Sequence, residues 1–273
     1  MAEKPFVSIL LLTYNRRNFL PLIMTNLYSQ TYPKDKLEVV IVDDGEKPLF
    51  LNSDEVKVVS SQVGIKINYI RDTSKHYTIG EKRNKSVKLA NYKICACMDD
   101  DDIYFPSYIE YSVDTLRKGK YGLVGSPEML FLYPHHKWKI TGIRCESKRQ
   151  IHEATMVFTK KHFNSMGGFN KKGNGEGAKL VDWNDNKCYK TEVNKCMICI
   201  AHKNNTVDKE MFKDKNINAG ELDIELLKVV SNCIGIPLDY DSECKIDFTK
   251  GSTTKTTPSE QRVRSVIEEV EED

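Results

Sequence analysis

The chain has 273 residues, 40% of them hydrophobic, and a formal net charge of +2. This length and apolar content suit one large domain or two small ones and exclude a disordered, collagen-like or coiled-coil chain. No run approaches the roughly 18 apolar residues of a membrane span, the opening MAEKPF lacks the apolar stretch of a secretory leader, and near-neutrality argues against a general attraction to nucleic acid, so a cytoplasmic protein is expected.

Residues 7–12 (VSILLL) form a continuous apolar run that ends in Thr13-Tyr14-Asn15-Arg16. A run apolar on both faces predicts a parallel strand covered on both sides. Asn18 is placed to cap a following helix that carries Phe19, Leu22, Ile23 and Leu27 on one face and stops before Tyr32-Pro33. Residues 37–42 predict a second buried strand ending in Asp43-Asp44-Gly45, and residues 67–70 a third. A helix is predicted over 81–89, then a fourth strand over 94–98 that runs straight into Asp99-Asp100-Asp101-Asp102. Alternation of strand and helix is the order of an α/β sheet built from right-handed crossovers.

The second half is less regular. Strands are predicted over 121–133, 138–143, 154–159 and 196–201, with a Gly167-Gly168-Phe169 turn and a glycine-rich loop at 173–177 between the last two. A helix is predicted over 221–234, a linker over 249–258, and a short acidic helix over 258–270 opened by the capping pattern Thr257-Pro258-Ser259-Glu260. The expected division is residues 1–210 as the main domain, with halves 1–106 and 107–210, and 211–273 as a C-terminal extension.

The eight cysteines are expected to be reduced. Cys188, Cys196, Cys199 and His202 would suit zinc if carried by a helix. However, 196–201 reads as a short buried strand, and residues three apart on a strand face opposite ways. Cys196 and Cys199 are therefore read as small core side chains.

The chemistry is expected at the strand ends. Four consecutive carboxylates after an apolar strand repel one another unless a cation offsets them, and a hard divalent ion with oxygen ligands does so. In open α/β sheets ligands bind beyond the carboxyl ends of the strands. Parallel strands would gather Thr13, Tyr14 and Arg16, Asp43 and Asp44, and the aspartate run at one edge, with Arg83 within reach from the helix that follows. Such a crevice suits a nucleotide: a ring to stack on the base, a carboxylate for its donors and a metal for its phosphates. The basic stretch 134–172, with nine Lys or Arg against two Glu, reads as a solvated face or as the acceptor side, and Trp138 as a core residue or a platform for a sugar ring.

The string VSILLLTYNRRNFLPLIMTNLYSQTYPKDKLEVVIVDDG resembles the N-terminal half of family 2 glycosyltransferases of the GT-A fold, and GEKRNKSVKLANYKICACMDDDDIYFP resembles that family's next block. The resemblance covers residues 5–210, and the second half is similar in tone to smaller enzymes of large DNA viruses. It implies a mostly parallel Rossmann-like sheet flanked by helices. It also implies metal-dependent transfer of a sugar from a nucleotide-sugar donor, UDP-linked, to a hydroxyl of a glycan, protein or small-molecule acceptor, with inversion.

By the same resemblance Thr13, Tyr14 and Arg16 would line the base and ribose pocket, Asp44 or Asp43 would contact the nucleobase, and Arg83 would reach the uracil or the diphosphate. Asp99 and its neighbour Asp100 would serve the ribose or sugar. Asp101 would ligate Mn²⁺ or Mg²⁺, Asp102 would support the metal or donor sugar, and His202, in His-Lys-Asn-Asn-Thr, would bind metal or diphosphate.

Inverting members of the family need a base for the acceptor hydroxyl, usually in a Glu-Asp pair after the Gly-Gly-Phe turn. Here the pair reads Glu176-Gly177. Glu176 is the first candidate, Asp182 the second and Glu153 the third. Two other readings compete. A sugar-1-phosphate nucleotidyltransferase would carry a glycine-rich basic loop where TYNRRN stands, and the incomplete pair would also suit a non-catalytic nucleotide-sugar-binding module.

Overall fold

In the computed structural model, which describes residues 3–144, 150–181, 188–205, 208–213 and 222–238, the apolar runs form the centre of a parallel sheet. Strands β1 (Val7–Thr13) and β2 (Leu37–Asp43) are buried at every position, as strands covered on both faces must be. Between them lies α1 (Leu20–Ser29), which buries Leu22, Ile23 and Leu27. Asn18 does not cap it. A 3₁₀ turn over Arg17–Phe19 displaces the helix start, and the Asn18 amide instead donates to the Cys233 carbonyl at 2.6 Å.

Helix α2 (Ser53–Val63) is opened by Asn52, whose side chain accepts from the Asp54 and Glu55 amides. Strand β3 (Lys66–Arg71) follows. Helix α3 (Ile79–Leu89) starts two residues before its predicted boundary because Thr78 and Glu81 form a reciprocal capping box. Strand β4 (Ile94–Asp99) leads through the acidic turn to β5 (Ile103–Tyr104) and helix α4 (Tyr108–Lys118).

The strand predicted over 121–133 is two strands, β6 (Leu123–Gly125) and β7 (Glu128–Tyr133). Ser126-Pro127 divides it: proline has no N–H for a ladder, and the Ser126 amide donates to Thr155 Oγ1 at 2.7 Å. Then come β8 (Lys139–Arg144), β9 (Val157–Thr159), α5 (Lys160–Met166), β10 (Cys188–Lys190), β11 (Met197–Ile200) and α6 (Ile224–Ile234). Asp182, Cys145, Cys244, the predicted linker and the predicted acidic helix lie outside the described residues.

The first sheet has the order β10-β6-β9-β4-β1-β2-β3, and the second β5-β11-β7-β8. Strands β4, β1, β2 and β3 are parallel, with Leu12 opposite Asp99, Thr13 opposite Asp43 and Asp43 opposite Arg71. Three polar strand ends thus share one edge. Strand β9 enters antiparallel to β4, Val157 opposite Ala96, so the 3₁₀ turn Glu153–Thr155 that precedes it lies beside the carboxyl end of β4. This is a mixed α/β fold with a large, mostly parallel sheet.

Trp138 is 5% exposed and packs with Leu130, Leu132, Ile140 and Ile198, which makes it a core residue. The same cluster takes in Val230 and Cys233 of α6 together with Phe19 and Leu22. All six described cysteines are buried. The Cys196 thiol donates to the Glu192 carbonyl at 3.2 Å, and Cys199 lies within β11.

Candidate active site

Each of the four aspartates at the end of β4 meets a cationic or N–H partner, and Asp100 and Asp101 share Arg16. Asp99 Oδ1 accepts from Arg83 Nη2 at 3.0 Å and Asp100 Oδ1 from Arg16 Nη1 at 2.6 Å. Asp101 Oδ2 accepts from His202 Nε2 at 2.9 Å and lies 2.8 Å from Arg16 Nη1. Asp102 points the other way, where Oδ1 accepts from the Ile200 amide at 2.9 Å and faces Lys209 Nζ at 3.9 Å. Burial pushes Asp100 up to about 6 and Asp102 up to about 7. Burial pushes Asp101 the same way, but the His202 hydrogen bond and the Arg16 charge outweigh it and hold that carboxyl below the usual range.

The β1–β2 edge carries a second group. Asp43 is spent on the backbone: Oδ1 accepts from the Gly45 amide at 2.8 Å, and Oδ2 accepts from the Leu49 amide at 2.9 Å and the Tyr69 hydroxyl at 2.6 Å. Asp44 pairs with Lys82 Nζ at 2.7 Å and accepts from the Tyr77 amide at 2.8 Å, with His76 Nδ1 at 3.1 Å. The Tyr14 ring is 39% exposed and sits 4.6 Å from the His76 ring, with the Lys82 ammonium 5.7 Å from its centroid. Of the two acids, Asp44 is the one beside the Tyr14 and His76 rings. Among the described residues, the Thr13 hydroxyl and Asp100 Oδ2 are buried with no hydrogen-bond partner.

The opposite wall is built on Arg83. Its Nε donates to Glu176 Oε1 at 2.8 Å, so one buried guanidinium bridges Glu176 to Asp99. Burial raises the Glu176 carboxyl, and the Arg83 charge opposes the rise. The loop that brings Glu176 here is seated on α3. The Gly80 amide donates to the Lys172 carbonyl at 2.9 Å, and a Cβ on Gly80 would lie 1.7 Å from the Asn170 carbonyl oxygen. Asn84 holds the same loop, donating to the Phe169 carbonyl and accepting from its amide, both at 2.9 Å.

The sequence profile of Glycosyl transferase family 2 matches residues 8–182, well over half of the chain. The chain belongs to glycosyl transferase family 2. It is 26% identical over 182 residues to an uncharacterized glycosyltransferase of Rickettsia felis, covering 61% of this chain and 29% of that protein. It is 28% identical over 133 residues to glycosyltransferase AglE of Haloferax volcanii, covering 48% and 41%. The chain therefore spans less than half the length of these relatives.

Two solved structures share the GT-A fold. One is mannosyltransferase PcManGT from Pyrobaculum calidifontis in complex with GDP-Man and Mn²⁺, at 16% identity and TM-score 0.55, covering 74% of this chain and 59% of that one. The other is S. aureus TarS in complex with UDP, at 14% identity and TM-score 0.58, covering 71% and 60%.

Within this family 2 chain the structure brings Thr13, Tyr14, Arg16, Asp44, Arg83, Asp99, Asp100, Asp101, Glu176 and His202 to one edge, and turns Asp43 and Asp102 into backbone ligands. Sequence reasoning missed Lys82, His76 and Lys209. Lys82 was findable, because it follows the capping-box Glu81 directly and precedes Arg83.

The donor set fits a hard divalent ion that takes most of its ligands from phosphate oxygens and water. The Asp101–His202 contact is one half of that fit, and the unpartnered Asp100 Oδ2 is the other. His202 Nδ1 faces the Asn204 amide at 3.2 Å, and Nε2 faces Asp101 Oδ2 at 2.9 Å and Asn205 Nδ2 at 3.0 Å; the tautomer with its proton on Nε2 is the one that donates to Asp101. That tautomer suits an anionic oxygen, and a metal at Nε2 would displace the proton. Among the described residues no group of three or more His, Cys, Asp or Glu side chains is arranged to hold a metal ion by itself. No helix among them is long and apolar enough to cross a membrane.

Proposed function

We propose that this chain transfers a glycosyl group from a nucleotide-sugar, UDP-linked, to an acceptor hydroxyl with inversion. One observation carries the reading: in a family 2 chain, the ends of β1, β2 and β4 align so that Tyr14, Asp44, Arg16, Asp101 and Arg83 meet along one sheet edge. The nucleotides bound by PcManGT and TarS support it.

In this reading Tyr14 stacks on the base and Asp44, held by Lys82, accepts from its N–H groups. Thr13 and Asp99 receive ribose or sugar hydroxyls. Asp101 and His202 would hold Mn²⁺ or Mg²⁺, with Asp100 beside them. When bound, that ion offsets the charge that develops on the departing diphosphate. Arg16, now paired with two carboxylates, and Arg83 supply further positive charge there.

The test is a panel of nucleotide-sugars with Mn²⁺, read by nucleotide release, on wild type and Asp101→Ala. Release by wild type and its loss in a folded D101A is the expected result. Full activity in D101A would refute the metal assignment. Calorimetric donor binding with no turnover on any donor or acceptor would favour a binding module instead.

A further inference from the structure

The position after Glu176 is glycine for want of space, not for backbone freedom. Gly177 is not among the glycines with positive φ, so an L-residue can adopt its conformation. A Cβ there would lie 2.5 Å from Glu153 Cγ and 2.7 Å from Met156 Cε. The room that a side chain on 177 would fill is taken by the stem of Glu153 and the end of Met156.

We propose that the Glu153 carboxylate is the base that takes the acceptor proton, and that Glu176 is a positioning residue for Arg83. This rests on the glycosyl-transfer reading above. Four observations support it. First, Glu153 stands in the 3₁₀ turn beside the carboxyl end of β4. Its place there is fixed by Met156 and Ala154, whose carbonyls accept from the Cys97 amide at 2.9 Å and the Tyr104 hydroxyl at 3.1 Å.

Second, Glu153 Oε1 accepts from the Gly177 amide at 3.1 Å, which orients the carboxylate, while among the described residues Oε2 has no hydrogen-bond partner. Third, Glu153 is only half-buried, so an acceptor can reach it. Glu176 is 4% exposed, with one oxygen bound to Arg83. Fourth, the Arg83 guanidinium pairs with Glu176 and Asp99, whereas among the described residues no Lys or Arg pairs with the Glu153 carboxylate.

In the step, the acceptor oxygen forms a bond to the anomeric carbon. The bond from that carbon to the diphosphate oxygen breaks, and its electron pair leaves with the nucleoside diphosphate. The acceptor proton passes to Glu153 Oε2 and from there to solvent. A base of this kind contributes on the order of 10²- to 10⁴-fold in rate.

The experiment compares Glu153→Gln, Glu153→Ala, the double variant E153A/G177D, Glu176→Gln and Asp182→Asn, measuring kcat with donor and acceptor and donor affinity by calorimetry. E153Q keeps the shape of the side chain, and donor affinity within about three-fold of wild type reports that its site is intact. The expected result is a fall in kcat of on the order of 10²-fold or more in E153Q and E153A. In E153A/G177D the contact with the Glu153 stem is gone, only the flexible end of Met156 has to shift, and a carboxylate returns from residue 177, so kcat should recover by about ten-fold or more over E153A.

Wild-type kcat in E153Q, or a collapse in D182N or E176Q that exceeds the one in E153Q, would overturn the proposal. A wild-type protein that releases no nucleotide from any donor would overturn the glycosyl-transfer reading, and the proposal with it.

Discussion

Arg83 and Glu176, separated by 93 residues in sequence, form a buried ion pair with Nε 2.8 Å from Oε1. The pair locks the loop after the Gly-Gly-Phe turn onto α3, and the same guanidinium reaches back to Asp99 at the end of β4. Removing one partner of such a pair strands the other charge in a dry site, at a cost of about 3–5 kcal/mol.

Arg83→Met is therefore expected to lower stability by about 3 kcal/mol, while Glu176→Gln, which still offers an oxygen to Nε, should cost about 1 kcal/mol. Urea denaturation of both variants and of the double R83M/E176M checks this. The double should be much more stable than the sum of its parts predicts, because no uncompensated Glu176 charge remains. Additive losses would show that the two side chains do not share an interaction.

A second expectation concerns Arg16, which holds Asp100 and Asp101 together through one nitrogen at 2.6 and 2.8 Å. In Arg16→Ala those buried acids face each other with His202 as the nearest remaining polar partner of Asp101. Stability at pH 7.5 should fall by about 2–3 kcal/mol, and millimolar Mn²⁺ should restore more of it than it adds to wild type, since a ligand specific to the folded state stabilises it. Thermal melts with and without Mn²⁺ measure the difference. An equal Mn²⁺ effect on both proteins would remove the aspartates from the metal assignment.

Two glycines of the same loop region give a contrast. A Cβ on Gly80 meets the Asn170 carbonyl oxygen at 1.7 Å, whereas one on Gly173 meets nothing within 4 Å. Backbone cannot yield as a flexible side chain can, so Gly80→Ala should cost at least the 1–3 kcal/mol or so of an overpacked core site. Gly173→Ala should change stability by less than about 0.5 kcal/mol. Chemical denaturation ranks the two, and a neutral G80A would mean that the 170–176 loop is not seated on α3.

The sheet edge was legible because parallel strands buried on both faces need unbroken apolar runs, and each run here stops abruptly at a polar cluster. That logic found Thr13, Tyr14, Asp44 and Asp99 through Asp101, and Arg83 from the opening of the next helix. It could not assign Asp43 and Asp102, because whether a carboxylate turns to the crevice or to the backbone depends on loops far away in sequence: the Leu49 amide and Tyr69 take Asp43, and the Ile200 amide takes Asp102. Helices α2 and α4 escaped notice for a different reason. Their apolar residues are spaced along mixed, charged sequence, where periodicity is weak evidence without a partner surface. The meaning of Gly177 was also hidden, since the side chain that excludes a Cβ there belongs to Glu153, 24 residues away.

The last expectation is a pH dependence of stability from His152. Its Nδ1 is buried with no hydrogen-bond partner among the described residues, and burial pulls the ring down from 6.5 to about 4. Lys209 and Arg83 act in the same direction, while Asp99 and Glu176 oppose it. A histidine depressed in the fold takes up a proton more readily when unfolded, so between those two values the unfolded chain binds more protons and stability rises with pH. The contribution is complete above pH 6.5 and is lost as pH falls toward 4. At pH 5 the loss amounts to about 2 kcal/mol. Urea midpoints of wild type and His152→Gln at pH 5 and pH 7.5 isolate this group from the carboxylates, which titrate in both proteins. Wild type should lose about 2 kcal/mol more than H152Q on acidification; parallel losses would show that the imidazole is protonated inside the fold and that its buried nitrogen has a partner after all.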